Sequence, residues 1–151
     1  MREFHARRLA EAAIMTSVLL LSPALSYAKK NAKTGKLLPP EVLAAKSVYL
    51  DCQLPVLDTP RLVTEHIKQW GRFRVEKSPE NADLVLYIQY IQGYTAVLFV
   101  RDRTYHKVFW STSAEGGTIP GRCIRLIDLF HERIDQDEAR LRQAPPSAQQ
   151  P

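Results

Sequence analysis

The sequence predicts an α+β fold: a two-layer sandwich in the order β-α-β-β-β-β-α, with a mostly antiparallel sheet and two helices on one face. Two segments carry apolar residues at the three- and four-residue spacing of a helix with one buried face. Five shorter segments either alternate apolar and polar residues or are apolar throughout, as strands are. The last strands are joined by short connections, so they are expected to pair antiparallel. Helices with one apolar face each then fit on a single side of the sheet.

The first strand is predicted over Lys46–Cys52, where apolar and polar residues alternate. The helix that follows has a start signal, because Asp58 or Thr59 can accept from free first-turn amides and Pro60 needs no amide there. Its apolar face consists of Leu62, Val63, His66, Ile67 and Trp70. Gly71 is typical of a helix end, where a left-handed residue is favoured.

Residues 72–77 predict an edge strand, because Phe73 and Val75 alternate with charged neighbours. The other strands are predicted over Leu84–Ile91, Tyr94–Val100 and Val108–Ser113. Gln92-Gly93 suits a tight hairpin turn, since glycine adopts positive φ at little cost. Residues 101–107 are polar and predict the tip of the next hairpin.

The stretch between the second and third strands contains an acid that could belong to a site or to a turn. Ser78 and Pro79 predict the cap and the first position of a single helical turn that ends at Ala82. Asp83 then stands at the junction with the third strand, where its carboxylate can accept local backbone amides. No acid or base partner lies near it in sequence, so we interpret Asp83 as structural.

The last helix is predicted over residues 122–142. Its apolar stripe consists of Cys123, Leu126, Ile127, Phe130, Ile134 and Leu141. Glu138 and Arg142 have the spacing of a favourable ion pair within one helix.

The N-terminus predicts export. Arg2, Arg7 and Arg8 precede the apolar run Ala12–Leu21, and Ser26-Tyr27-Ala28 has the small residues that signal peptidase requires. The run has about 10 residues, short of the ~20 that span a bilayer, so no stable membrane span is expected after cleavage. A periplasmic or secreted location follows.

Four regions are therefore predicted: a signal peptide (residues 1–28), a basic linker (29–39), a single α+β domain (40–142) and a disordered tail (143–151) rich in proline, glutamine and alanine. The formal net charge of +5 is mild. Because no basic stripe interleaved with aromatic residues is visible, nucleic-acid binding is not expected. No sequence motif calls for a cofactor or a metal.

Cys52 ends the first strand and Cys123 begins the last helix. Two thiols in an oxidising compartment can form a disulfide, and two buried, unpaired thiols are the alternative. Closing so long a loop would stabilise the fold by roughly 4 kcal/mol.

A glycine-rich connector precedes the last helix. Gly116, Gly117, Gly121 and Arg122 could hold a small anion, because free amides at a helix start and a nearby guanidinium both attract negative charge. A connector without a ligand is the alternative.

The sheet face away from the helices is the third candidate. Tyr87 and Gln89, with Phe109 or Trp110 as neighbours on the last strand, would form a patch for a partner if they are exposed together. A hydrolase with a site gathered from separate elements, such as Asp102, His106 and His131, is a weaker hypothesis, since no complete catalytic motif is present.

Four stretches in a fixed order carry a family resemblance: "LLPPEVLAAKSVYLD", "QWGRFRV", "SPENADLVLYIQ" and "VRDRTYHKVFW". Over about Leu37 to Trp110 the chain resembles a group of small exported bacterial α/β proteins of unknown function. It is more loosely similar to the TolB N-terminal domain and to curli-assembly lipoprotein domains. The chain departs from the group in its short "CQLPVLDTP" connection and in Tyr105-His106-Lys107, which replaces a glycine-containing turn.

The resemblance implies a fold and a compartment but no reaction. Together with the export signal, it favours a non-enzymatic domain that binds an envelope protein or associates with itself. The alternative is a small-ligand or anion-binding protein that uses the Gly116–Arg122 loop.

Overall fold

The computed structural model describes residues 35–53, 58–91 and 95–143. The strands are β1 (Ser47–Cys52), β2 (Arg74–Glu76), β3 (Leu84–Ile91), β4 (Thr95–Arg101) and β5 (Val108–Glu115). The α-helices are α1 (Pro40–Ala44), α2 (Thr59–Trp70) and α3 (Ile119–Gln143), and a 3-10 turn spans Pro79–Asn81. The predicted signal peptide, most of the linker, the Gln92-Gly93 turn and residues 144–151 lie outside the described residues.

The five strands form one open sheet in the order β2-β1-β3-β4-β5. β1 is parallel to both of its neighbours, β2 and β3. β3, β4 and β5 follow one another as an antiparallel meander. The predicted α+β class is therefore confirmed, and the five strands and two long helices follow the predicted order along the chain. α2 joins β1 to β2, as the pairing of parallel neighbours requires a crossover connection.

Both long helices pack on the same face of the sheet, as predicted. Their buried residues share one hydrophobic cluster with β1, β3, β4 and β5, and Phe130 at its centre is fully buried. The rings of Phe73, Trp70 and Trp110 surround Phe130, with centroids 5.5–6.2 Å away. Burial of these aromatic and aliphatic side chains is the main favourable term for the fold. Leu141 departs from the predicted stripe, since it is 38% exposed.

At the two ends of α2, the residue predicted to end the helix does so, whereas the residue predicted to cap its start does not. Gly71 has φ 75° and donates its amide to the Lys68 carbonyl, so the predicted left-handed helix end is confirmed. Asp58 precedes the helix but makes no capping bond, because its own backbone is left-handed (φ 72°). Its carboxylate faces Arg61 instead.

The last residues of the predicted linker belong to the fold. Leu38 is buried, and its amide donates to Oδ2 of Asp137 on α3 at 2.7 Å. Asp137 is fully buried and also accepts from Arg133 Nε at 3.0 Å, while Arg133 donates to the Lys36 carbonyl. Arg140 reaches the Gly35 carbonyl at 3.0 Å. A buried carboxylate and two arginines thus fasten residues 35–38 along α3.

The short helix α1 was not predicted. Its signal was present, because Pro40 occupies a first-turn position and Val42 is fully buried in the core. Arg72 holds α1 against α3: it donates to the Leu43 carbonyl at 2.8 Å and to Glu138 Oε1 at 2.6 Å. Glu138 therefore pairs across the fold, and not with Arg142 as its spacing within the helix predicted.

Within the described residues, no helix is both long and apolar enough to cross a membrane.

Replacing Asp137 by asparagine should lower the free energy of unfolding by about 3 kcal/mol, because Arg133 then lacks its partner in a buried position. Urea denaturation followed by circular dichroism measures this. Asp135→Asn is the matched control, since Asp135 makes only a surface contact to His131 and should change stability by less than about 0.5 kcal/mol. Equal losses in the two variants would contradict the role given to Asp137.

Candidate functional site

Asp83 is a structural residue in the described part of the chain. One oxygen, Oδ2, accepts from the backbone amides of Lys46 and Ser47, at 2.8 and 2.9 Å, and from the Ser47 hydroxyl at 3.0 Å. The Asp83 amide donates back to Ser47, to its carbonyl at 3.2 Å. The pKa of Asp83 is lowered, chiefly by the Lys46 amide and further by Ser47, against an opposing effect of burial. The carboxylate therefore joins the first residues of β1 and β3.

The sheet has a second face, opposite the helices, and it carries a small apolar cluster of Ile91, Val97 and Phe99. Tyr87 packs against this cluster, and Gln89 shares its face because it lies opposite Val97 in the β3–β4 pairing. Tyr87 and Gln89 are both half-buried. The structure thus brings together two of the four residues predicted for a partner face.

Trp110 does not belong to that face. It is buried in the main core, where its ring stacks on Phe130 at 5.5 Å. The register shifts at the start of β5, so that Val100 pairs with Trp110 and Arg101 with Val108, and Phe109 is the extra residue between them. Trp110 alternates in register with Thr112 and Ala114 and therefore faces the helices, while the bulge leaves Phe109 at the edge of the core and Val108 on the second face.

Three residues that sequence reasoning missed complete the second face: Asp51, Arg101 and Tyr105. Arg101 places its guanidinium carbon 4.9 Å from the ring centroid of Tyr87 and 5.2 Å from that of Phe99. Tyr105 comes from the β4–β5 loop with φ 64° and meets the Tyr87 ring edge-on at 6.4 Å. We name this surface (Asp51, Tyr87, Gln89, Phe99, Arg101 and Tyr105) the tyrosine platform.

Hydrogen bonds hold the platform together. The Tyr105 hydroxyl donates to Asp51 Oδ2 at 2.9 Å, and Arg101 Nη1 donates to the Tyr105 carbonyl at 3.3 Å. Burial raises the pKa of Tyr105 well above its ordinary value, and the Asp51 carboxylate raises it further. The phenol therefore stays protonated as a donor, and these hydrogen bonds link β1 and β4 to the β4–β5 loop.

The platform contained a signal that alternation could have revealed. Phe99 and Arg101 alternate with core residues of β4 and lie on the face of Tyr87, so a known hairpin register would have placed them. Tyr105 had no such signal, because its position depends on a loop whose backbone turns left-handed.

The glycine-rich loop has a structural arrangement. Gly116 and Gly117 have φ 75° and 68°, which explains the glycines. The Thr118 hydroxyl accepts the Gly121 amide at 3.2 Å, and the Thr118 carbonyl accepts the Arg122 amide. The Arg122 side chain is buried over the Tyr90 ring at 5.0 Å. Two of the four predicted anion-binding residues, Gly121 and Arg122, thus make contacts within the loop and with β3, and the anion site stays a prediction.

Cys52 and Cys123 are close together but carry no disulfide. A hydrogen bond from Cys52 lowers the pKa of Cys123, burial opposes this, and the charge of Arg122 adds to it. The structure therefore places the two predicted partners side by side in the thiol form.

The histidines and Asp102 do not assemble. Asp102 accepts from Thr104 and Lys107 within the β4–β5 loop, where His106 is exposed. His131 stacks on Trp70, with centroids 4.3 Å apart. Nε2 of His66 lies 2.7 Å from Asp128 and joins α2 to α3. No hydrogen bond or ion pair among the described residues connects Asp102, His106 and His131. The part of the chain that the structure describes also contains no group of three or more histidine, cysteine and acidic residues that could hold a metal ion.

Comparisons with protein-family models, with curated proteins and with solved structures each found no match. The α+β architecture stands on the geometry of the chain itself. The resemblance to small exported bacterial proteins stays a prediction.

Asp83→Asn should lower the free energy of unfolding by about 1 kcal/mol at pH 7, because three donors lose a charged acceptor. The folded pKa of Asp83 is below its ordinary value of 3.8, so its charge contributes stability above that value. The contribution is lost as pH falls through the folded pKa. The difference between wild type and variant should therefore shrink below about pH 4.

Urea denaturation at pH values from 7 down to 3 measures this difference. Ser47→Ala is the matched control, because it removes one donor and keeps the charge. It should cost less and leave the acid dependence in place. A pH-independent difference for Asp83→Asn would contradict the electrostatic account.

Proposed function

We propose that this chain is a non-enzymatic binding domain that contacts a protein of the cell envelope through the tyrosine platform. The observation that carries the proposal is the platform itself. It is a partly exposed surface in which Arg101, Tyr87 and Tyr105 are already held in place by ring contacts and hydrogen bonds.

The composition of the platform fits protein recognition. Tyrosine and arginine are over-represented among the residues that dominate binding energy in protein interfaces. Because Tyr105 is bonded to Asp51 and Arg101 lies between two rings, few side-chain rotations remain to be lost on binding. Preorganisation of this kind raises affinity without new contacts.

The polarity of the platform favours a different protein over a second copy of the chain. Asp51, Arg101, Gln89 and the tyrosine hydroxyls stand around a small apolar centre. Interfaces of permanent homodimers are more apolar, whereas separately folded partners use mixed surfaces. We expect the partner to present apolar side chains to the centre and a carboxylate to Arg101.

The envelope location in this proposal rests on the N-terminal sequence. The basic start, the apolar run and the small residues at Ser26 and Ala28 support export and cleavage. The resemblance to exported α/β domains that act as partner-binding modules supports the same compartment and the same class of function.

We also propose that Cys52 and Cys123 join as a disulfide after export, since their side chains are already in contact. Oxidised glutathione can supply the oxidation: the two protein thiols form one disulfide, and two reduced glutathione molecules leave. The bond would connect the end of β1 to the first turns of α3.

The platform is tested by site-specific photo-crosslinking in cells. A photoreactive residue at Gln89 should give an adduct with one envelope protein, whereas the same residue at exposed Lys68 on α2 should not. Tyr87→Ala, introduced with the crosslinker at Gln89, should reduce the adduct at least about fivefold, the loss expected for one central contact. Circular dichroism of the variant confirms that the fold is kept.

An adduct of the chain with itself, equal adducts at Gln89 and Lys68, or none at Gln89 would overturn the proposed function. Light scattering of the purified chain adds a second arm, because a concentration-dependent dimer would assign the platform to self-association.

The disulfide is tested by exposing the folded chain to oxidised glutathione and titrating the remaining thiols. Wild type should lose both thiols and gain up to about 4 kcal/mol in stability, because the closed loop restricts the unfolded chain. Cys123→Ser should form no internal bond and show no such gain. Persistence of both thiols in wild type would contradict the pairing.

A further inference from the structure

A cavity of ≈ 520 Å³ lies at the end of the sheet where β1 and β3 begin and β4 ends. α1 and the β4–β5 loop contribute to its lining from either side. Its volume falls in the range of small-molecule sites, roughly 300–1,000 Å³. The cavity is separate from the tyrosine platform and from the glycine-rich loop, because it shares no lining residue with them.

Hydrogen bonds within the fold engage the three carboxylates of the cavity. Asp83 uses Oδ2 for the start of β1, and Asp102 accepts from Thr104 and Lys107 to shape the loop. Glu41 on α1 pairs with Lys107 at 3.1 Å. Oδ1 of Asp83 accepts no hydrogen bond from the described residues.

Unlike the carboxylates, the two positively charged side chains that line the cavity have no partner among the described residues. The side chains of Lys46 and Arg103 are exposed and make no hydrogen bond or ion pair within the described residues. The fold therefore leaves an ammonium and a guanidinium at the cavity with their donors uncommitted.

Apart from Thr104, whose hydroxyl donates to Asp102, the remaining lining is apolar. It consists of three alanines, at positions 44, 45 and 82, and the half-buried ring of Phe109. Lys107 lies 4.7 Å from the centroid of this ring and fixes its outer side.

The balance of charge decides the class of ligand. A simple anion would meet Lys46 and Arg103 but also three carboxylates, and a simple cation would meet two unpaired positive groups. A ligand with both signs can place its carboxylate at Arg103 and Lys46 and its ammonium near the free oxygen of Asp83. We propose that the cavity binds a zwitterion with an apolar body, namely an apolar amino acid or a dipeptide, with its side chain against Phe109 and the alanines.

The proposal is tested with leucyl-leucine as the probe and the intact 151-residue chain, by isothermal calorimetry and amide NMR. Binding should shift the amide signals of Ala45, Ala82 and Thr104. The N-acetylated dipeptide lacks the ammonium and the C-amidated dipeptide lacks the carboxylate, so each should bind at least about tenfold more weakly.

Arg103→Met and Lys46→Met should each weaken binding of leucyl-leucine about tenfold, because each removes a positively charged group that has no partner among the described residues. Lys68→Met is the matched control, since Lys68 is exposed and lies outside the cavity. All three positions are on the surface, so the variants should keep the wild-type circular dichroism spectrum.

Three results would overturn the proposal: no binding of leucyl-leucine at about 10 mM, equal binding of the blocked dipeptides, or equal binding by Arg103→Met and wild type. None of these results bears on crosslinking at the platform, so the two proposals can fail separately.

Discussion

A single oxygen, Oδ2 of Asp83, accepts the first two amides of the β1 region and the Ser47 hydroxyl. This contact sets where β3 begins relative to β1, and both neighbours of β1 are parallel strands that arrive later in the chain. Parallel pairs lack the tight turn that fixes register in a hairpin, and a slip of one residue would turn every core side chain outward. This register places Val48, Leu84 and Leu86 together on one face of the sheet, and the helices pack on that apolar face.

The β4–β5 loop connects this frame to both proposed binding regions. Asp102 shapes the loop through Thr104 and Lys107, and the loop then directs Arg103 and Thr104 to the cavity and Tyr105 to the platform. The left-handed backbone at Tyr105 is the local cost of this arrangement. Its ring contact with Tyr87 and its hydrogen bond to Asp51 offset that cost. One six-residue connection thus contributes to a surface on one face of the sheet and to a cavity at the end of the sheet.

Buried polar contacts play a second role along α3. Asp137 and its arginines hold residues 35–38 on α3, and Arg72 links α1 to the same helix. A buried carboxylate is costly unless it is paired, so these contacts specify one path for the chain ahead of β1. Residues 35–38, which the sequence predicted to be part of a linker, therefore cover one side of the core.

The sequence alone determined the elements, because helical and strand periodicity are local properties of neighbouring residues. It placed the apolar faces of α2 and α3, the left-handed end at Gly71, the turn at Pro79 and the structural task of Asp83. The short helix α1 was not predicted, although the sequence contained its first-turn proline and the valine that the fold buries. Only the tertiary structure decided the bulge at Phe109, the pairing of Glu138 with Arg72 and the burial of Arg122. These depend on contacts between residues far apart in the chain, such as those from Asp51 to Tyr105, and no local pattern encodes which distant partner a side chain will meet.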